Sequence, residues 1–430
     1  MMKHISLKKH SFDNLGGFEN KHEIFFSNPN CNIIMGTNGA GKSSILNSLY
    51  INISHIFTNI ISFHHSNIDF STSNINNGKV DTTCTSTFNF DINGKIEELE
   101  IGFRLSQNNQ IQQIDSDYNK MRNEIKRIFE TQDLNLPVIR YFRANRSINK
   151  NQSIVQSQNF NKVNSRNIGY TNHYAPTFLI QEITSFIIDL LNIENQEKIK
   201  NKNFDFETKF GKFVRNVFRE FTISLYENEM PISVGKSKFS NGQSLFIKKN
   251  NEDLEFSQLS SGEEYLISLV LEILYRICQT NPNSENPRFS PGIIIIDEIE
   301  SHLHPKWQIN VTKALTNAFP KIQFIISTHS PLIVSSVKPE QINLISNFQI
   351  QPKESIPDIY SGTANQILTE LMNADEKIDE FKNETSFINK LILEKKYEHA
   401  KDQLNLLKNK VDSNPDWLMK LEKRINFISI

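Results

Sequence analysis

The octapeptide Gly36-Thr37-Asn38-Gly39-Ala40-Gly41-Lys42-Ser43 has the spacing of a phosphate-binding loop, G-x-x-x-x-G-K-S. It follows the apolar run Asn32 to Met35, which reads as a strand, and leads into a helix expected to start near Ser43. Strand, loop and helix in that order are the context the motif requires. The glycines let backbone N–H groups turn inward around phosphate oxygens, and the helix start adds the positive end of its dipole. The candidate nucleotide-binding residues are therefore Gly36, Asn38, Gly39, Ala40, Gly41, Lys42, Ser43 and Ser44. Lys42 is directed at the β- and γ-phosphates of ATP and the Ser43 hydroxyl at Mg2+.

Three later motifs bear on the same chemistry. Ile293 to Ile296 is an unbroken apolar strand that ends in Asp297-Glu298. Such a run belongs inside a parallel sheet covered on both faces, and ligand sites form at the carboxyl ends of those strands. Asp297 is placed to hold the Mg2+ hydration shell and Glu298 to polarise the water that attacks the γ-phosphate. Leu259-Ser260-Ser261-Gly262-Glu263 stands at the start of an expected helix, where its hydroxyls serve either as a plain serine cap or as an anion contact. Ile325 to Ser330 ends another apolar strand in His329, a residue type that serves structure as readily as chemistry.

Outward from these motifs the first 50 residues read as short strands, at Ile5 to Leu7, Ile24 to Phe26 and Asn32 to Met35. Thr87 to Phe90 and Ile96 to Phe103 flank Asn93-Gly94, a hairpin signal. A helix is expected from Asp117 to Glu130, a strand at Val138 to Phe142, and a polar, mobile loop from Asn145 to Tyr174. Apolar residues at three- and four-residue spacing predict helices at Thr177 to Asn192 and Glu207 to Leu225, and Asn241-Gly242 marks a second hairpin. Helix Glu263 to Cys278, strand Ile293 to Ile296, helix Lys306 to Ala318 and strands Ile322 to Ile326 and Ile342 to Ile345 then alternate. That alternation means a parallel sheet with helices on its faces. From Ala364 to Ile430 the chain reads as helical, broken at Asn414-Pro415.

With 430 residues the chain is long enough for two or three domains. Its 47 Lys+Arg against 48 Asp+Glu leave a formal charge of −1, which excludes binding of nucleic acid through a global basic field. The most apolar stretch, Phe178 to Ile193, carries Glu182 and Asp189, so no membrane-spanning helix is expected. Met1 to His10 is basic with no apolar core behind it, unlike a secretory signal, and a cytoplasmic location is expected. Cys31, Cys84 and Cys278 lie far apart without C-x-x-C spacing and read as reduced, packing thiols.

In this order the motifs resemble the ABC-type ATPase heads, in the branch shared with SMC and RecF-like repair proteins and OLD-type ATPases. The resemblance makes Gly36 to Ser43 the Walker A motif, Leu259 to Glu263 the signature, Asp297-Glu298 the Walker B motif and His329 the switch histidine. It implies ATP bound between two subunits, the Ser260, Ser261 and Gly262 of one closing on the γ-phosphate held by the other. A closer resemblance is to stand-alone, AAA-like bacterial ATPases such as the ATPase subunits of Septu and retron-linked antiphage systems. It rests on Glu300-Ser301-His302-Leu303-His304-Pro305, Pro137 to Arg146, Ser330-Pro331 and the helical tail, and covers residues 1–50, 137–146, 254–346 and 361–428. Ser261 stands where transporters usually have glycine, and His302-Leu303-His304 replaces the usual Ala-Leu-Asp, so transporter-like coupling is not expected. The Q-loop glutamine has no clear position; Gln110, Gln112 and Gln113 are candidates by type alone.

The expected fold is therefore α/β, an ABC-type P-loop ATPase head with a mixed α+β insertion and a small helical C-terminal cap. Residues 1–50 and 250–348 form the head, 51–249 the insertion and 349–430 the cap. The region between Walker A and signature has no sustained heptads, unlike an SMC arm. The residues after His329 read as helical packing rather than a nuclease domain. The implied function is MgATP binding and hydrolysis by Glu298 and His329 as catalytic residues, with Ser43 and Asp297 at the metal. The ATP-dependent state of a dimer would control a nucleic-acid-directed effector, such as a separately encoded HNH nuclease in antiphage defence. Two other readings stand beside it: an ATP switch or scaffold without turnover, and a DNA-repair ATPase that binds DNA directly. Arg140, Arg143, Arg146 and Lys150 would carry the DNA contact, although the same residues suit ion pairs. His302 and His304 near Glu300 lack the i, i+4 spacing of a helical metal pair.

Overall fold

The computed structural model describes residues 2–58, 71–92, 94–114, 135–144, 166–170, 178, 180–239, 242–356, 362, 367, 379–394, 396–410 and 416–428, with isolated positions between 119 and 130. It divides into two compact units, Met1–Ser361 and Gly362–Ile430. The first begins with β1 (Met2–Asp13), β2 (Lys21–Phe25), β3 (Cys31–Gly36), α1 (Lys42–Thr58), β4 (Asp81–Ile92), β5 (Lys95–Ser106), β6 (Ile111–Gln113) and β7 (Val138–Phe142). It continues with α2 (Ile180–Asn201), α3 (Lys209–Tyr226), β8 (Ile232–Lys236), β9 (Gln243–Lys249), β10 (Glu252–Glu255), α4 (Ser261–Thr280) and β11 (Gly292–Ile296). It closes with α5 (Pro305–Ala318), β12 (Ile322–Thr328), α6 (Pro331–Ser335), β13 (Ile342–Ser346) and β14 (Gln349–Ile350). The fold is mixed α/β, as the motif order predicts.

The sheet that positions the motifs has strand order β14-β13-β3-β12-β11-β7. Its inner pairings are all parallel, and only β14 runs antiparallel. The inner strands β3, β11 and β12 and the edge strand β7 are buried at every residue, as strands covered on both faces must be. β3 lies between β13 and β12, and β12 lies beside β11, so the carboxyl ends of β3, β12 and β11 open side by side. The phosphate loop leaves the first, Thr328 and His329 end the second, and Asp297-Glu298 follow the third.

A second, antiparallel sheet, β2-β1-β4-β5-β6, packs its apolar residues into a core shared with α1 and the first sheet. β8, β9 and β10 make a third, small antiparallel sheet. The three cysteines are buried and free, as read. Among the described residues no helix is long and apolar enough to cross a membrane. The second unit holds α7 (Asp379–Leu393), α8 (Tyr397–Lys410) and α9 (Asp416–Ile428), joined by a core of Ile388, Leu391, Leu404, Leu407, Leu418 and Ile425.

The strand Val138 to Phe142 lies where the sequence expects it, but inside the main sheet, parallel to β11 with Ile296 opposite Phe142. This corrects the reading of Arg140 as part of a DNA- or phosphate-gripping patch. Arg140 is 1% exposed, and its guanidinium donates to Glu272 Oε1 at 2.6 Å and to Tyr141 O at 2.9 Å. Of the ion-pair and patch alternatives, the ion pair holds for Arg140, because an uncompensated buried charge would be too costly. Arg146 and Lys150 lie outside the described residues, as do Asn93, Asn241, Asn414-Pro415 and most of the segments 117–130 and 145–174.

Candidate functional site: a phosphate loop beside paired carboxylates

The loop after β3 has the backbone a phosphate cradle needs. Gly39 and Gly41 take φ values of +79° and +94°, a region that L side chains avoid. At Gly41 an added Cβ would also lie 2.4 Å from the Phe18 ring, whereas at Gly39 it would meet nothing within 4 Å. The loop is thus pinned from below at Gly41 and open at Gly39. Thr37, Asn38 and Gly39 are exposed, Ala40 is buried, and α1 starts at Lys42.

Lys42 is buried, and its Nζ donates to Gly36 O at 2.8 Å and Thr37 O at 2.9 Å. Burial pulls the ammonium below the ordinary lysine range, against the opposing pull of Asp297, Glu298 and Glu300. Ser43 Oγ donates to Asp297 Oδ2 at 2.8 Å, across the gap between the end of β3 and the end of β11. Ser327 donates to the other oxygen, Asp297 Oδ1, and its Oγ accepts from the Glu298 N–H at 2.8 Å. Glu298 is half-buried with a left-handed φ of +49°. Register explains the cluster: Ile296 pairs with Ile326, so Asp297 and Ser327 are the next residues on adjacent parallel strands.

His329 stands at the end of β12 with Nδ1 2.9 Å from Glu300 Oε1. The same oxygen accepts from the His329 N–H at 2.6 Å, and Glu300 Oε2 accepts from Thr328 Oγ1 at 2.8 Å. These contacts draw Lys42, Ser43, Asp297, Glu298 and His329 around one rim. An oxygen pair from a hydroxyl and a carboxylate suits a hard cation such as Mg2+. The oxygen-lined rim, the open loop and the buried ammonium fit a magnesium nucleotide.

The residues expected to form the signature stand at the start of α4. Ser260 caps α4, its N–H and Oγ donating to Glu263 Oε2 at 3.2 and 2.7 Å. Burial opposes the charge on Glu263, but Lys249 and Ser260 hold its carboxyl below the usual range. Ser260 and Ser261 are exposed, and Gly262 packs so closely that a Cβ would lie 2.4 Å from His302 O. Among the described residues none of the three makes a hydrogen bond with the loop from Gly36 to Ser44. His304 caps α5, its Nδ1 accepting from the Lys306 N–H at 3.2 Å. No cluster of three potential metal-ligating His, Cys, Asp or Glu side chains occurs among the described residues. Gln112 and Gln113 lie on β6, which pairs with β5 in the second sheet, and Gln110 just precedes it.

Sequence reading missed Ser327, Thr328 and the setting of Glu300. Ser327 carries no motif of its own; only the register of β11 on β12 reveals it. Glu300 has a signal, its place three residues after Asp297, but nothing along the chain says that it turns toward His329.

Over 376 residues, 76% of this chain and 71% of the other, the sequence is 29% identical to the protein named Retron Vc95 probable ATPase of Vibrio cholerae serotype O1 biovar El Tor. It is 29% identical over 192 residues to the Septu protein PtuA of Bacillus mycoides strain KBAB4, covering 40% of this chain and 25% of that one. Among solved structures it is similar to the SMC head domain from Thermotoga maritima, with a TM-score of 0.41 and 16% identity over 80% of this chain and 98% of that one. A profile of the family described as "AAA domain, putative AbiEii toxin, Type IV TA system" matches residues 31–335, from the strand before the phosphate loop to beyond His329, and the chain belongs to that family.

Proposed function

We propose that the chain is an ATPase that binds MgATP, hydrolyses it slowly, and uses the ATP-dependent state of a dimer to control an effector acting on nucleic acid. The observation that carries this reading is the 2.8 Å bond between Ser43 Oγ and Asp297 Oδ2, which joins the phosphate loop to the carboxylate strand. Mg2+ held by these two residues would neutralise charge on the β- and γ-phosphates. Lys42 exchanges its two carbonyl partners for phosphate oxygens, and the loop N–H groups orient them. Glu298 takes a proton from the attacking water. His329 contacts the γ-phosphate. Ser260, Ser261 and Gly262, which make no hydrogen bond with the loop of their own chain among the described residues, are assigned to the γ-phosphate bound by a second copy, which makes two composite sites in a homodimer.

In this proposal residues 1–50 and 250–348 form the head, completed by β7 from the inserted segment 51–249 and by β14 from the start of the expected cap 349–430, which leaves the second unit, Gly362–Ile430, as the cap. The relatives named for a retron and for Septu support antiphage defence as the setting, with a separately encoded nuclease, such as an HNH protein, as effector. ATP turnover and nucleotide binding measured on two variants test the chemistry. Glu298→Gln should keep binding and lose about 100-fold or more in turnover, the scale of a general base, and Lys42→Ala should lose binding. Wild-type turnover in Glu298→Gln would overturn the assignment.

A further inference from the structure

Glu300 is 7% exposed, and the side-chain hydrogen bonds of its carboxylate go to the end of one strand. Oε2 accepts from Thr328 Oγ1 at 2.8 Å, and Oε1 accepts from the His329 backbone at 2.6 Å and lies 2.9 Å from His329 Nδ1. One carboxylate thus holds the main chain of this histidine by a hydrogen bond and faces its ring nitrogen at ion-pair distance, without hydrogen-bond geometry to Nδ1. Nδ1 is itself buried, while the His329 side chain is 42% exposed. The accessible edge of the ring is therefore the one away from Nδ1, where Nε2 sits. A carboxylate this close to Nδ1 attracts that edge of the ring and so favours the orientation with Nδ1 inward.

We propose that Glu300 is a positioning residue for ATP hydrolysis: it holds His329 with Nδ1 turned inward, so that Nε2 is the atom offered to the γ-phosphate. The proposal rests on the reading of His329 given above. Glu300 does not touch the nucleotide, and its effect passes wholly through His329. Removing its carboxylate should therefore slow turnover without weakening nucleotide binding, and should cost nothing further once His329 is gone.

The experiment is a double-substitution cycle on the full chain, with kcat, KM for MgATP and thermal midpoint recorded for each protein. Glu300→Ala should lower kcat about 10- to 100-fold, the range seen when an orienting partner is lost, with KM changed less than about threefold. In a His329→Ala background the same substitution should change kcat by less than about threefold. Glu300→Gln, whose amide oxygen can still accept from the His329 N–H, should recover most of the loss. It also carries the cycle if Glu300→Ala does not fold. Equal losses from Glu300→Ala with and without His329 would overturn the proposal while leaving His329 in its role. Wild-type kcat in His329→Ala would remove the parent reading and this one with it.

Discussion

His10 lies fully buried on β1 between two hydroxyls, Nδ1 2.8 Å from Ser86 Oγ on β4 and Nε2 2.9 Å from Ser48 Oγ on α1. Asn52 donates to the same Ser86 oxygen at 2.9 Å, so four polar side chains tie the helix of the phosphate loop to the second sheet. Burial pushes the imidazole down to about 3, against the Thr85 backbone bond that acts the other way. The folded state therefore keeps His10 neutral at pH values where the unfolded chain takes up a proton. Above about pH 6.5 both states are neutral and the group adds no pH dependence; as pH falls from there toward 3, stability is lost at about 1.4 kcal/mol per unit. Urea unfolding at pH 7 and pH 5 should show a loss in the wild type larger by about 2 kcal/mol than in His10→Gln. Equal losses would mean that His10 is not held neutral. Nothing in the sequence around His10 announces this role, because its partners lie 38 and 76 positions away.

β7 and α4 show what a sequence reveals of an element and what it withholds. Val138 to Phe142 is legible as a strand because five residues suited to an extended chain follow Pro137; its partner is not legible, since β11 begins at Gly292. The partner converts Arg140 from a surface charge into a buried one. Arg140 and Arg276 both donate to Glu272 Oε1, at 2.6 Å and at 3.0 and 2.8 Å, which joins the main sheet to the middle of α4. Burial opposes the charge on Glu272, yet the two guanidinium groups hold its carboxyl below the usual range. Glu272→Gln would leave two buried cations without their anion and should destabilise the protein by about 3–5 kcal/mol, read as a lower urea midpoint; an unchanged midpoint would contradict the network. The same limit applies to β1, whose twelve residues were legible only at Ile5 to Leu7, because Lys8, Lys9 and His10 break the apolar signal. Where runs are dominated by Ile, Leu and Phe, as in β3, β11, β12 and β13, boundaries agree within two residues.

The candidate site was legible because its four motifs end parallel strands or begin helices, and a parallel sheet gathers the carboxyl ends of neighbouring strands. Motif order gave the residues, but the neighbours that orient them, Ser327, Thr328 and Glu300, needed the register. One asymmetry of the molecule bears most on function. Lys42, Ser43, Asp297, Glu298 and His329 share a rim, whereas Ser260 and Ser261 are exposed and Ser260 is bonded to Glu263. In the proposed reading a second copy would complete a site so divided, and the γ-phosphate is what would hold the copies together. The direct measurement is the solution mass of Glu298→Gln with and without MgATP, with Lys42→Ala as the protein that cannot hold nucleotide. The account predicts that MgATP takes Glu298→Gln from one chain to two and leaves Lys42→Ala unchanged; a Glu298→Gln mass that MgATP does not alter would contradict it.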